Sequence, residues 1–159
     1  MSNKIIAVNN STDASELAGL ATDPAVTLDV TKLDLGRLPE HVKAALYTEA
    51  TSFNAPQLQT SGNVFASSAT SFSAPQLQTS GDIYASSAMS FNAPQLQTSG
   101  DISANSATSF NAPQLQTSGN IYARAATNFS APQLQASGNI YADRATSCAS
   151  TKSARWLSA

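Results

Sequence analysis

Residues 50–144 read ATSFNAPQLQTSGNVFASS (50–68), ATSFSAPQLQTSGDIYASS (69–87), AMSFNAPQLQTSGDISANS (88–106), ATSFNAPQLQTSGNIYARA (107–125) and ATNFSAPQLQASGNIYADR (126–144). The unit is 19 residues long and occurs five times without insertion or deletion. A sixth copy opens at Ala145 as ATSCAS and then dissolves into TKSARWLSA. Five of the seven glycines and five of the seven prolines hold this register. The period bounds the fold. Two helices and their turns need about 33–47 residues, and a propeller blade about 40. A unit near 20 fits one coil of a parallel β-solenoid or a leucine-rich-type array.

The third copy sets the phase. Ile102 and Ala104 alternate with Asp101, Ser103 and Asn105, the period of a half-buried strand. Phe91 and Ala93 alternate likewise with Ser90 and Asn92. Met89 is Thr in the other copies and is not counted as core. Pro94 lacks an N–H and fixes φ, so it ends the second strand and opens the bend that carries Leu96. Gly100, before the main strand, is expected to take a positive φ at a corner. One coil buries too little to fold alone. Stacking at about 4.8 Å per coil turns repeated residues into columns. Phe53, Phe72, Phe91, Phe110 and Phe129 form one column, and Leu58, Leu77, Leu96, Leu115 and Leu134 another.

This unit resembles the leucine-rich-like repeats of the BspA type and of receptor L domains. Ala88, Phe91, Ala93, Pro94, Leu96, Gly100, Ile102 and Ala104 fall on roughly matching places of that pattern. The resemblance covers about residues 50–146. Ser99 departs from it, standing where that family carries an aliphatic residue, and Ala replaces several Leu. The resemblance implies a role in binding, adhesion or recognition, by analogy of fold.

Residues 1–49 break the repeat and hold seven of the ten acidic residues. Ser11 to Leu20 reads as a short helix, with Asp13 and Glu16 placed as a capping box. Val26 to Pro39 reads as a worn coil, in which Leu33, Leu35 and Leu38 have the spacing of Phe91, Ala93 and Leu96. Glu40 to Leu46 reads as a helical turn. A solenoid needs covered ends. Residues 1–49 are therefore expected to be an N-terminal cap with a degenerate first coil, 50–144 the five repeats, and 145–159 a partial sixth repeat with a C-terminal cap. Trp156 and Leu157 are the candidates for closing that end; alternatively Trp156 docks a second copy or a partner.

The chain has 159 residues, of which 11% are charged, and a net charge of −2. An electrostatic nucleic-acid binder needs clustered Lys and Arg, and residues 50–123 contain no Lys, Arg or His. A single Cys precludes an internal disulfide and a single His precludes a His-pair metal site. His41 reads as an exposed surface residue and Cys148, in the Phe column, as a small buried hydrophobe. Asp82 and Asp101 share a column with Asn63, Asn120 and Asn139, and two carboxylates fall short of the about six to eight oxygens of a Ca²⁺ site. They read as exposed acids tolerated among amides. Nothing resembles a phosphate loop or a nucleophile elbow. No cofactor or metal is expected. The four apolar residues Ile5–Val8 are fewer than an export signal or a membrane span requires, which points to the cytoplasm, with a phage particle or signal-independent export as alternatives.

Three outward columns carry the functional reading. Phe65, Tyr84, Ser103, Tyr122 and Tyr141 make an aromatic ladder, suited either to binding or to mutual stacking. The small polar pairs Ser52/Asn54, Ser71/Ser73, Ser90/Asn92, Ser109/Asn111 and Asn128/Ser130 make a flat hydroxyl and amide array, as on ice-binding solenoids, without their paired Thr columns. Glutamines such as Gln95 and Gln97 are placed for amide ladders.

The sequence thus predicts a mainly β chain: a right-handed, leucine-rich-repeat-like parallel β-solenoid with a short α/β N-terminal cap. Its expected role is a non-enzymatic scaffold that binds another protein through Phe65, Tyr84, Tyr122 and Tyr141. The alternative is a phage- or adhesin-like structural component associating end to end as a homo-oligomer. An ice- or carbohydrate-binding solenoid ranks behind both.

Overall fold

The computed structural model describes residues 4–149 as a parallel β-solenoid of about seven turns with one short helix. Strand β1 (Lys4–Asn9) leads into helix α1 (Ala14–Ala21), strand β2 (Val26–Lys32), a 3-10 turn at Leu35–Arg37 and strand β3 (Ala45–Tyr47). The repeats then lay down two short strands per coil. The three-residue strands are β4 (Ser52–Asn54), β6 (Ser71–Ser73), β8 (Ser90–Asn92), β10 (Ser109–Asn111), β12 (Asn128–Ser130) and β14 (Ser147–Ala149). The two-residue strands are β5 (Val64–Phe65), β7 (Ile83–Tyr84), β9 (Ile102–Ser103), β11 (Ile121–Tyr122) and β13 (Ile140–Tyr141). One sheet runs β1-β2-β3-β5-β7-β9-β11-β13 and the other β4-β6-β8-β10-β12-β14. All pairings are parallel, and from β5 onward each residue faces its counterpart one repeat away, as Ile83 faces Ile102 and Phe72 faces Phe91. A third, thinner seam joins Thr60, Thr79, Thr98 and Thr117 by single parallel bridges.

The inward and outward assignments hold. Phe91, Ala93, Leu96, Ile102 and Ala104 are all fully buried, whereas Met89 is 60% exposed. The five Phe rings form one internal stack, with centroids 4.8 Å apart and planes within 7° of parallel. Two turns close each coil. Pro94 opens one, in which the Leu96 N–H donates to Ala93 O at 3.1 Å. The other joins Ala104 to Ala107, whose N–H donates to Ala104 O at 3.0 Å. Both alanines are buried, and their small side chains let the corner stay narrow.

The N-terminal segment departs from its sequence reading in three places. Helix α1 starts at Ala14, with Asp13 as N-cap accepting from Ser15 N at 3.0 Å; Leu17 and Ala21 enter the core. The strand expected near Leu33 and Leu35 is replaced by the 3-10 turn, although Leu33, Leu35 and Leu38 are buried as expected. Residues 40–46 do not form a helical turn. His41 bridges Thr60, and Ala45 and Leu46 belong to β3, because backbone pairing to the first repeat outweighs local propensity there. Arg37 donates to Asn10 O and to Thr12 O, the latter at 2.9 Å, tying the 3-10 turn to the loop before α1. Among the described residues no helix is long and apolar enough to cross a membrane.

Candidate functional site

The outward side of the eight-stranded sheet carries the aromatic column. Phe65, Tyr84, Tyr122 and Tyr141 stand where their strands place them, on the outward phase beside the buried Val64, Ile83, Ile121 and Ile140. They are half-buried rather than fully exposed, because they stack on one another. Phe65 and Tyr84 lie 5.2 Å apart at 2°, and Tyr122 and Tyr141 lie 4.9 Å apart at 4°. Each such contact contributes about 0.5–1.5 kcal/mol. The column is thus two stacked pairs, separated by Ser103, which strand register places directly between Tyr84 and Tyr122. At its far end Arg124 sits 5.0 Å from the centre of the Tyr141 ring and 3.5 Å from Asp143.

Beside this column runs a ladder of carboxylates and amides that the sequence reading took for idle surface. Asn63 Oδ1 accepts the Asp82 N–H at 2.9 Å, Asp82 Oδ1 that of Asp101 at 2.9 Å, Asp101 Oδ1 that of Asn120 at 2.7 Å, and Asn120 Oδ1 that of Asn139 at 2.9 Å. Asp and Asn alternate freely here because both present Oδ1 to the same N–H. The rung also explains the glycine before it. Gly100 does not adopt a positive φ; no glycine here does. A Cβ on Gly100 would lie 2.1 Å from Asp82 Oδ1, so the position is glycine for lack of room. The neighbouring Ser99, only 7% exposed where the leucine-rich-like pattern has an aliphatic residue, donates its hydroxyl to Gly81 O at 3.1 Å.

Tyr84 meets this ladder. Its hydroxyl donates to Asp82 Oδ2 at 3.3 Å. Desolvation raises its pKa above the ordinary tyrosine value, and the charges of Asp82 and Asp101 add to the effect. Two strands back in the same sheet the Tyr47 hydroxyl donates to Glu49 at 2.7 Å, and that bond raises its pKa likewise.

The six-stranded sheet presents the small polar pairs over a shallow groove of about 510 Å³, lined by Ser71, Ser73, Ser90, Asn92, Asn111 and Ser130 among others. Asn111 Nδ2 donates to Asn92 Oδ1 at 2.8 Å, and the Ser52 and Ser71 hydroxyls lie 3.2 Å apart. Gln95 and Gln97 are exposed. Among the described residues no hydrogen bond joins one glutamine side chain to another; the Gln59 amide donates instead to Glu40 at 3.0 Å. His41 is exposed, with its ring 3.2 Å from the Thr60 hydroxyl. No group of three or more His, Cys, Asp or Glu that could hold a metal occurs among the described residues. The backbone of Cys148 pairs with Phe129, in the Phe column as expected. Trp156 and Leu157 lie outside the described residues. Comparison with protein-family models, with curated proteins and with solved structures gives no match.

Proposed function

We propose that this chain is a non-catalytic recognition scaffold that holds a protein partner against the outward face of its eight-stranded sheet. The aromatic column of Phe65, Tyr84, Tyr122 and Tyr141 is the observation that carries this reading. Half-buried aromatics with a polar tip give large contact area at little cost in side-chain entropy, the chemistry that dominates protein interfaces. Parallel pairing holds them on a fixed pitch, so their order is in place before binding. The resemblance to leucine-rich-like repeats of the BspA type supports the same reading by analogy. Capture of partners from source-organism lysate by the intact chain, compared with a Tyr84→Ala/Tyr122→Ala variant, tests it. The variant should keep its β-sheet circular dichroism and lose the specific partner. Equal capture by both chains would rule this face out.

A second reading, end-to-end assembly, draws on the sheet borders. Among the described residues β13 and β14 are the last strands of their sheets, and such edges template further pairing. Light scattering that shows a concentration-dependent mass, lost on Trp156→Ala, would favour this reading. A monomer at every concentration would remove it.

A further inference from the structure

The aromatic column has a vacancy one ring thick. Tyr84 and Tyr122 are separated by two coils, and each coil rises by the 4.8 Å seen between successive Phe rings. Ser103 occupies the intervening place with a hydroxymethyl group instead of a ring. Within each half of the column neighbouring rings are 5.2 and 4.9 Å apart, so the interval left open accommodates one further ring in the same stack. The floor of this slot is polar. Ser103 Oγ lies 2.8 Å from Ser86 Oγ and 3.3 Å from Asn105 Nδ2. Asn105 Oδ1 is the buried side-chain atom left without a hydrogen-bond partner among the described residues. The wall of the slot is acidic. Asp82 and Asp101, the only charged side chains in residues 50–123, precede Tyr84 and Ser103 by two places; Asp82 Oδ2 accepts from the Tyr84 hydroxyl at 3.3 Å, and Asp101 follows it one repeat along the same ladder. Neither makes an ion pair with a described residue; the Arg124–Asp143 pair lies further along the solenoid.

We infer that this slot binds one planar aromatic side chain of the protein partner, presented next to a basic residue. The inference rests on the recognition role proposed for this face and names the chemistry of its ligand. The incoming ring completes the stack between Tyr84 and Tyr122. A donor on that ring, such as an indole N–H, supplies the bond that Asn105 Oδ1 lacks once the amide turns toward it. The adjacent cation offsets the charges of Asp82 and Asp101, which no local Lys or Arg does.

The test uses the full chain and three capped dipeptide amides, acetyl-Arg-Trp, acetyl-Glu-Trp and acetyl-Arg-Leu, followed by NMR at the Ser103 and Asn105 amides. Acetyl-Arg-Trp should give saturable shifts, and each comparator should bind more weakly. Ser103→Tyr fills the slot with the residue that other coils carry there. It should melt no lower than the parent chain and bind acetyl-Arg-Trp at least about tenfold more weakly, as for a lost hot-spot contact. Asp82→Asn/Asp101→Asn keeps both rungs and should narrow the preference for Arg over Glu. Unchanged binding by Ser103→Tyr, or no saturable shift with any peptide, overturns the inference. So does a change in the emission of Trp156, the single tryptophan, on Ser103→Tyr without peptide, which would give the slot to the chain's own tail. If Tyr84→Ala/Tyr122→Ala loses partner capture while Ser103→Tyr retains it, the face stands and the slot falls.

Discussion

Asp82 Oδ1 accepts the backbone N–H of Asp101 at 2.9 Å, one repeat further along the chain. The same side-chain oxygen fills the space where a Cβ on Gly100 would be. A single carboxylate atom thus fixes two positions of the following coil, one by bonding and one by exclusion.

The bond and the charge are therefore separable. Asp101→Asn should leave stability within about 0.5 kcal/mol, since Asn63 and Asn120 already make this rung. Asp101→Ala should cost about 0.5–1.5 kcal/mol, because the Asn120 N–H loses its acceptor. Urea unfolding of both variants checks the pair, and equal losses would mean that charge matters more than the bond.

Gly100→Ala should destabilise by about 1–3 kcal/mol through overpacking against Asp82. Adding Asp82→Ala should recover part of that loss, giving a favourable coupling in a double-mutant cycle. Recovery stays partial, because the same Cβ would lie 3.0 Å from the Asp82 backbone nitrogen. Strict additivity would show that the two sites do not compete for space.

Leu96→Ala, in a fully buried middle layer, should cost about 2–5 kcal/mol. Asn92→Ser, on the outward phase of the same coil, should cost no more than about 1 kcal/mol, the value of the amide bond from Asn111. Thermal melts that fall alike for both would contradict the inward and outward phases.

Tyr84 should ionise above the ordinary tyrosine value of 10.0 in an ultraviolet titration. Asp82→Asn should bring it part of the way back, leaving the contribution of desolvation. A raised folded-state pKa means that the fold favours the neutral phenol. The stability it contributes is present below pH 10 and is lost as pH climbs through the raised value. A titration unmoved by Asp82→Asn would separate the hydroxyl from that carboxylate.

The solenoid was legible because its core obeys local rules. Phe91, Leu96 and Ile102 follow strand alternation within one coil, and Pro94 marks its own turn, so residues close in sequence settle their placement. What escaped the reading depends on the adjoining coil. Gly100 looks like a corner needing a left-handed backbone until Asp82, from the previous repeat, is seen to occupy its side-chain space. Asp82 and Asp101 look idle until the N–H groups that follow them in space are known. The N-terminal segment breaks the period as well. Leu28 faces Leu46 and Leu46 faces Val64 at intervals of 18 residues, whereas Val64 faces Ile83 at 19. Aligning Leu33 and Leu35 with the repeats therefore placed a strand where the chain makes a 3-10 turn. Of the candidate site, the aromatic positions and the break at Ser103 were readable from alternation and the repeat, but that the rings on either side stack in pairs needed the ring distances.

The equivalence of the joints between coils makes solenoid length a matter of inheritance rather than of folding. Excising residues 88–106 would bring Phe72 against Phe110 and Asp82 against Asn120, contacts of the kinds already present. The shortened molecule would also seat Tyr84 directly on Tyr122 and erase the one gap in its aromatic spine. A lineage that gains or sheds such a module by unequal crossing-over would thus alter the surface this face presents without disturbing how the chain folds.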